Sequence, residues 1–192
     1  MQATKLSLGQ YDNNVYVVVC PRTKESAIID ASHDAAQIAE AAAGTNVRFI
    51  LLTHGDPDHI DALQDLRTRL NVPVGIHPAD ADRLPAPAEF EIADGQEFTV
   101  GDVTLRALHT PGHTPGSVGF YTPGTLFSGD TLFPGGPGNT RGDKDRFAQI
   151  IEAIRSKYFV LPDETLVRPG HGADTTIGAE KPHLQEWIER GW

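Results

Sequence analysis

Cysteine is almost missing from this chain: Cys20 is the only one among 192 residues. A single thiol excludes an internal disulfide framework and any cysteine-based zinc module. It closes the apolar run Val15 to Val19, where a buried structural thiol is expected. Long apolar runs are missing as well, and no stretch approaches the roughly 20 residues that a membrane-spanning helix needs. The N-terminus lacks a basic region followed by an apolar one, so no export signal is read and a cytoplasmic location is expected. Basic residues are in deficit, 16 Lys+Arg against 26 Asp+Glu, for a formal net charge of −10. That excludes a general nucleic-acid binder or a protein held to anionic membranes. A small molecule is the expected partner, and the oligomeric state is left open.

What is present is an ordinary globular composition, 39% hydrophobic and 22% charged, consistent with one domain over residues 1–192. Val15 to Val19 and Ser26 to Ile29 read as a hairpin, followed by an alanine-rich helix over Asp34 to Ala43. A buried strand over Val47 to Leu52 leads to a helix from about His59 to Leu70, and Val72 to His77 reads as another strand. Residues 78–95 have no clear period and read as a connecting excursion with one helical turn near Ala79 to Leu84. Strands follow at Phe98 to Val100, Val103 to Leu108, Ser117 to Tyr121 and Thr125 to Ser128. After the glycine-rich loop Phe133 to Gly142 come a helix to about Tyr158, a strand at Thr165 to Arg168 and a helix at Leu184 to Arg190. Strands with helices interposed singly define a layered α/β class.

The chemistry concentrates in Thr53-His54-Gly-Asp56-Pro-Asp58-His59, between a strand end and a helix start. Imidazoles and carboxylates in one tight loop suit a divalent first-row metal. Asp56-Pro57 also reads as a helix cap with proline at the first helical position, which needs neither histidine. Three further clusters stand at strand ends: His109-Thr-Pro-Gly-His113, Ser128-Gly-Asp130 and Pro169-Gly-His171-Gly. Each sets a His or Asp among residues that let the backbone bend close to an ion. His33, His77 and His183 have no evident partners and read as structural or exposed, while His109 is a candidate supporting residue behind His113.

With those motifs in that order, the sequence resembles the metallo-β-lactamase superfamily, and most closely its short glyoxalase-II-like hydrolases. The resemblance implies a four-layer αββα sandwich without the extra helical domain of longer glyoxalase II enzymes. It implies two divalent metal ions, with His54, the residue at 56 and His113 on one. Asp58, His59 and His171 would hold the other, and Asp130 would lie between them. The implied activity is hydrolysis of a small ester or thioester by a metal-bound hydroxide, with Asp58 or Asp130 accepting the water's proton. β-Lactam hydrolysis is not the expected task, since no export signal is read. The alternatives are an oxidoreductase of the persulfide dioxygenase type, with one iron, and a non-catalytic relative.

The departure from the family pattern is Asp56, where histidine is usual. A third carboxylate lowers the formal charge around two ions from about +2 to about +1. Zinc is the first expectation, with iron or manganese favoured by the added oxygen ligand. The bound water is expected to have a higher pKa, and Asp56→His is expected to hold zinc more firmly. Smaller departures are Asp61-Ala62 where glycines are usual, and Asn139 where arginine is common. In the loop after Asp130, Arg141 is the candidate anchor for an anionic group on the substrate.

Overall fold

The computed structural model describes residues 1–191. Two six-stranded sheets lie face to face. The first runs in chain order: β1 (Gln2–Leu8), β2 (Asn13–Val19), β3 (Glu25–Ile29), β4 (Asn46–Leu51), β5 (Val74–Ile76) and β6 (Phe90–Glu91). The second holds β7 (Glu97–Val100), β8 (Val103–His109), β9 (Val118–Thr122) and β10 (Thr125–Gly129). After a two-stranded hairpin, β11 (Leu132–Phe133) and β12 (Gly136–Pro137), it takes up β13 (Leu166–Pro169) and β14 (Thr175–Thr176). Its spatial order is β14-β13-β10-β9-β8-β7.

Period-two alternation on fully buried strands makes this layering. On β2 every residue is buried. Val15, Val17 and Val19 face a core shared with α1 (Ala35–Ala41) and with a helix pair, α2 (Pro57–Ile60) and α3 (Leu63–Leu70). Tyr16 and Val18 face the other way, into a core between the sheets with Phe98, Leu105, Phe120 and Phe127. A third core joins the outer face of the second sheet, through Leu126 and Val167, to Ile150, Ile154 and Trp187. Those residues belong to α4 (Lys144–Ala153), its π-helical continuation Ile154–Tyr158 and, beyond α5 (Ile177–Glu180), α6 (Leu184–Arg190). The result is the four-layer αββα sandwich. Truncating a fully buried ring such as Phe127 to alanine would cost about 3–5 kcal/mol. No described helix is long and apolar enough to cross a membrane.

Strand direction gathers the polar loops. β3 and β4 pair in parallel, so their C-terminal ends share an edge. β8 and β10 are both antiparallel to β9, and β13 is parallel to β10. The loops after β8, β10 and β13 therefore emerge side by side.

Two readings of the sequence need correction. The helix expected from His59 to Leu70 is two helices, because the carbonyl of Asp58 accepts from the Asn13 side chain (3.1 Å) and the amide of Ala62 turns to Ala31 (3.0 Å). The strand expected over Val72 to His77 shortens to β5. The helical turn expected near Ala79 to Leu84 is present as a 3-10 helix, Pro78–Arg83, whose Asp80 is fully buried.

Candidate metal centre

The seven ligand-type residues read from the sequence meet at that edge. They fall into three overlapping groups, His54/Asp56/His113, His54/His59/Asp130 and Asp58/His59/His171, and within each the ligand atoms lie within 4.8 Å of one another.

Each imidazole is held by a hydrogen bond at Nδ1. The Thr53 hydroxyl gives its single proton to Asp30 (2.8 Å), so toward His54 it acts as acceptor, and the His54 Nδ1–H donates to it (2.9 Å). His59 Nδ1 donates to Asp30 (3.0 Å), His113 Nδ1 to the Asn139 carbonyl (2.9 Å) and His171 Nδ1 to the Tyr11 carbonyl (2.8 Å). All four acceptors can only accept, which fixes the proton on Nδ1 and leaves four Nε2 lone pairs turned inward. Such supports are what metal-ligating histidines use.

The Nε2 atoms of His54 and His113 and Oδ1 of Asp130 are buried without a hydrogen-bond partner. Buried polar atoms left unpaired cost free energy unless something meets them. Nε2 of His59 lies 3.1 Å from Nε2 of His171. With both Nδ1 atoms already donating, two lone pairs at that distance require positive charge. The donor set fits divalent cations.

The electrostatics agree. Burial and the neighbouring His59 hold His54 well below the ordinary imidazole range, as a neutral ligand must be. Burial opposes a charge on His59, but the Asp130 and Asp30 carboxylates push it well above that range. Asp130 lies well below the usual carboxylate range, because His59 and His171 outweigh its burial. Glycine at 170 is a steric requirement, since a Cβ there would lie 2.1 Å from Oδ1 of Asp130.

Asp56 is not a side-chain cap. It occupies the N-cap position ahead of Pro57, yet its carboxylate makes no capping hydrogen bond. Its oxygens turn instead to Arg83 (2.5 Å), Arg141 (3.1 Å) and His113 (3.3 Å). Burial opposes its ionisation, but the His113 contact and the Arg141 guanidinium keep it below the usual range. Arg141, at 60% side-chain exposure, thus reaches Asp56 from a left-handed loop position.

Several supporting residues were assigned no specific role in the sequence reading. Asp30 is buried at the end of β3 and accepts from Thr53 and His59; only its place at a strand end signalled it. Asn13 donates to the Asp58 carboxylate (2.9 Å) and meets the His33 ring (3.2 Å). His33, read as partnerless, also pairs with Asp61 (2.8 Å). His109 is directed elsewhere: it donates to the Pro115 carbonyl (2.9 Å) and stacks on His77 with ring centroids 3.9 Å apart. His183 pairs with Glu186 near the surface.

Beside the centre lies a cavity of about 400 Å³ bordered by His113, Asp130, Phe133, Asn139, His171 and Arg190. The β11–β12 hairpin forms its wall.

Two sheets, their edge loops and a convergent His/Asp donor set define a recognisable class. The family model of the metallo-beta-lactamase superfamily matches residues 8–171, and the chain belongs to that superfamily. It is 32% identical over 180 residues to the hydroxyacylglutathione hydrolase GloC of Haemophilus influenzae, covering 82% of this chain and 85% of that protein. The fold matches the crystal structure of the BLEG-1 B3 metallo-beta-lactamase with a TM-score of 0.86 at 32% identity, covering 95% and 98% of the two chains. It matches ETHE1 from Myxococcus xanthus with a TM-score of 0.88 at 27% identity, covering 100% and 90%.

Proposed function

We propose that this protein is a metal-dependent hydrolase of a small ester or thioester. The observation that carries the reading is the set of four Nδ1-anchored imidazoles whose Nε2 atoms converge with three carboxylates. His54, Asp56 and His113 would hold one divalent ion, Asp58, His59 and His171 a second, and Asp130 both. Bound there, the ions supply Lewis-acid activation of water and stabilisation of developing negative charge. Zinc suits a set with four imidazoles, and the three carboxylates also suit iron or manganese.

The chain's own groups do the rest. Asp58 is held by Asn13 and keeps 32% side-chain exposure, so it is placed to take a proton from water entering the centre. Asp130 is more enclosed, at 11%, and orients rather than exchanges with solvent. Phe133 offers an apolar wall beside Arg190, which is ion-paired with Glu186 at 3.4 Å. Arg141, which also contacts Asp56, is the candidate anchor for a substrate carboxylate. The name of the Haemophilus relative supplies a first substrate to try, a hydroxyacyl thioester of glutathione.

The reading is tested by reconstituting metal-stripped protein with zinc and following thiol release from that thioester. Metal-dependent release is expected, with Asp58→Ala lowering kcat/KM by about 10²-fold or more. A second reading, a mononuclear iron oxidoreductase of the persulfide dioxygenase type, draws on one feature. Asp56 is occupied by two arginines, which leaves His54, His113 and Asp130 as a two-imidazole, one-carboxylate set. Iron-dependent oxygen uptake with a persulfide, and no thioester cleavage, would replace the first reading by the second.

A further inference from the structure

The 3-10 helix Pro78–Arg83 carries two side chains that the mechanism above does not use. Asp80 is fully buried and accepts from the amide of Gly55 (3.0 Å), next to His54, and from the amide of Gly116 (2.8 Å), three residues past His113. One carboxylate thereby ties together the two loops that supply the imidazoles of the first metal group. Arg83, one helical turn further on, places Nε 3.7 Å from Asp80 and Nη1 2.5 Å from Asp56. Its stem packs where no side chain could stand at position 55, since a Cβ on Gly55 would lie 2.8 Å from the Cβ of Arg83.

Resting on the metal reading of this site, we propose that Arg83 is a positioning residue whose charge lets Asp56 stand in for the histidine usual at that position. The formal charge bears this out. Three carboxylates around two divalent ions leave about +1, and the guanidinium held against Asp56 restores about +2, the value for two carboxylates alone. Arg83 is the better compensator of the two arginines, because Asp80 braces it and its side chain is 31% exposed against 60% for Arg141. An exposed pair contributes little. Asp80 offsets the guanidinium less than Asp56 does, since it lies 3.7 Å from Nε against 2.5 Å for Asp56 and also accepts from two backbone amides. The aspartate and the arginine form one unit, and the expected outcome of Asp56→His reverses: alone, it leaves Arg83 facing a neutral imidazole and repelling the ion.

The test is zinc binding to metal-stripped protein, read by competition with a chromophoric chelator, for wild type, Asp56→His, Arg83→Met and the double variant. Wild type should bind two zinc ions. Asp56→His should weaken one of them by about tenfold or more while the other is retained, which also reports an intact fold. The double variant should recover to within about threefold of wild type, a coupling that independent sites would not show. If Asp56→His binds both ions as tightly as wild type, or the double variant does not recover, the arginine has no such role. Wild type binding only one ion also overturns it, leaving the hydrolase reading in place. Wild type binding none overturns both.

Discussion

The two halves of the metal centre are built differently. The half with Asp58, His59 and His171 is ready for an ion: its imidazoles face each other at 3.1 Å, and Asp58 is held by a neutral amide. The half with His54, Asp56 and His113 is guarded, its carboxylate already paired with two guanidinium groups. A cation entering the first meets no guanidinium, whereas one entering the second must share an anion with two. On the proposed two-ion reading, the same ligand chemistry should give two affinities, set by what stands behind each ligand.

Asp30 is where the halves join, so its loss should move them together. Asp30→Asn keeps the shape but puts an amide against the Nδ1–H of His59 and the proton of Thr53, which in turn sets His54. Zinc should weaken by about 10- to 100-fold at both positions, read by chelator competition. An effect on one ion alone would break the common anchor. Asn13→Ala should act only on the open half, where it frees Asp58, and reduce affinity for one ion by about three- to tenfold. Loss of the other ion would invert the assignment of the halves. Arg141→Ala is expected to be the smallest perturbation. Removing an exposed competitor from Asp56 should strengthen the guarded half by about threefold or less, with the other ion unchanged. A weaker site would show that Arg141 supports Asp56 rather than competing for it.

A pH contrast adds a check away from the centre. Burial and the stacked His109 ring lower the pKa of His77. Its folded-state pKa lies below the unfolded value of about 6.5, so the unfolded chain takes up the proton first and stability falls as pH drops through that value. His77→Gln should flatten this dependence in denaturant titrations at pH 7 and pH 5.5, with zinc stoichiometry unchanged.

The centre was legible because its residues stand where sequence signals are strongest, at the ends of apolar strands and among glycines and prolines. The layering was legible for the same reason: β2 is buried throughout and β4 ends in the buried pair Ile50 and Leu51. What stayed hidden was polar structure held by distant partners. β1 reads as polar because it is an edge strand with mostly exposed or half-exposed side chains, and its pairing with β2 supplies what hydrophobicity does not. The turn at Pro78–Arg83 was legible, but nothing local says that Asp80 is buried against two amides. Asp56 was ambiguous because its backbone does sit at a cap position; only Arg83, 27 residues on, shows where the carboxylate goes.

The contact between His59 and His171 joins positions 112 residues apart. An ion held there is a reversible cross-link across more than half of the chain. Closing so long a loop carries a large entropic cost, and β13 must be in place beside β10 before His171 can arrive. Ion capture would then come late in folding, after both sheets exist. Its stabilisation would fall mainly on the rate of opening, so a loaded centre is expected to slow unfolding and leave the rate of folding nearly unchanged.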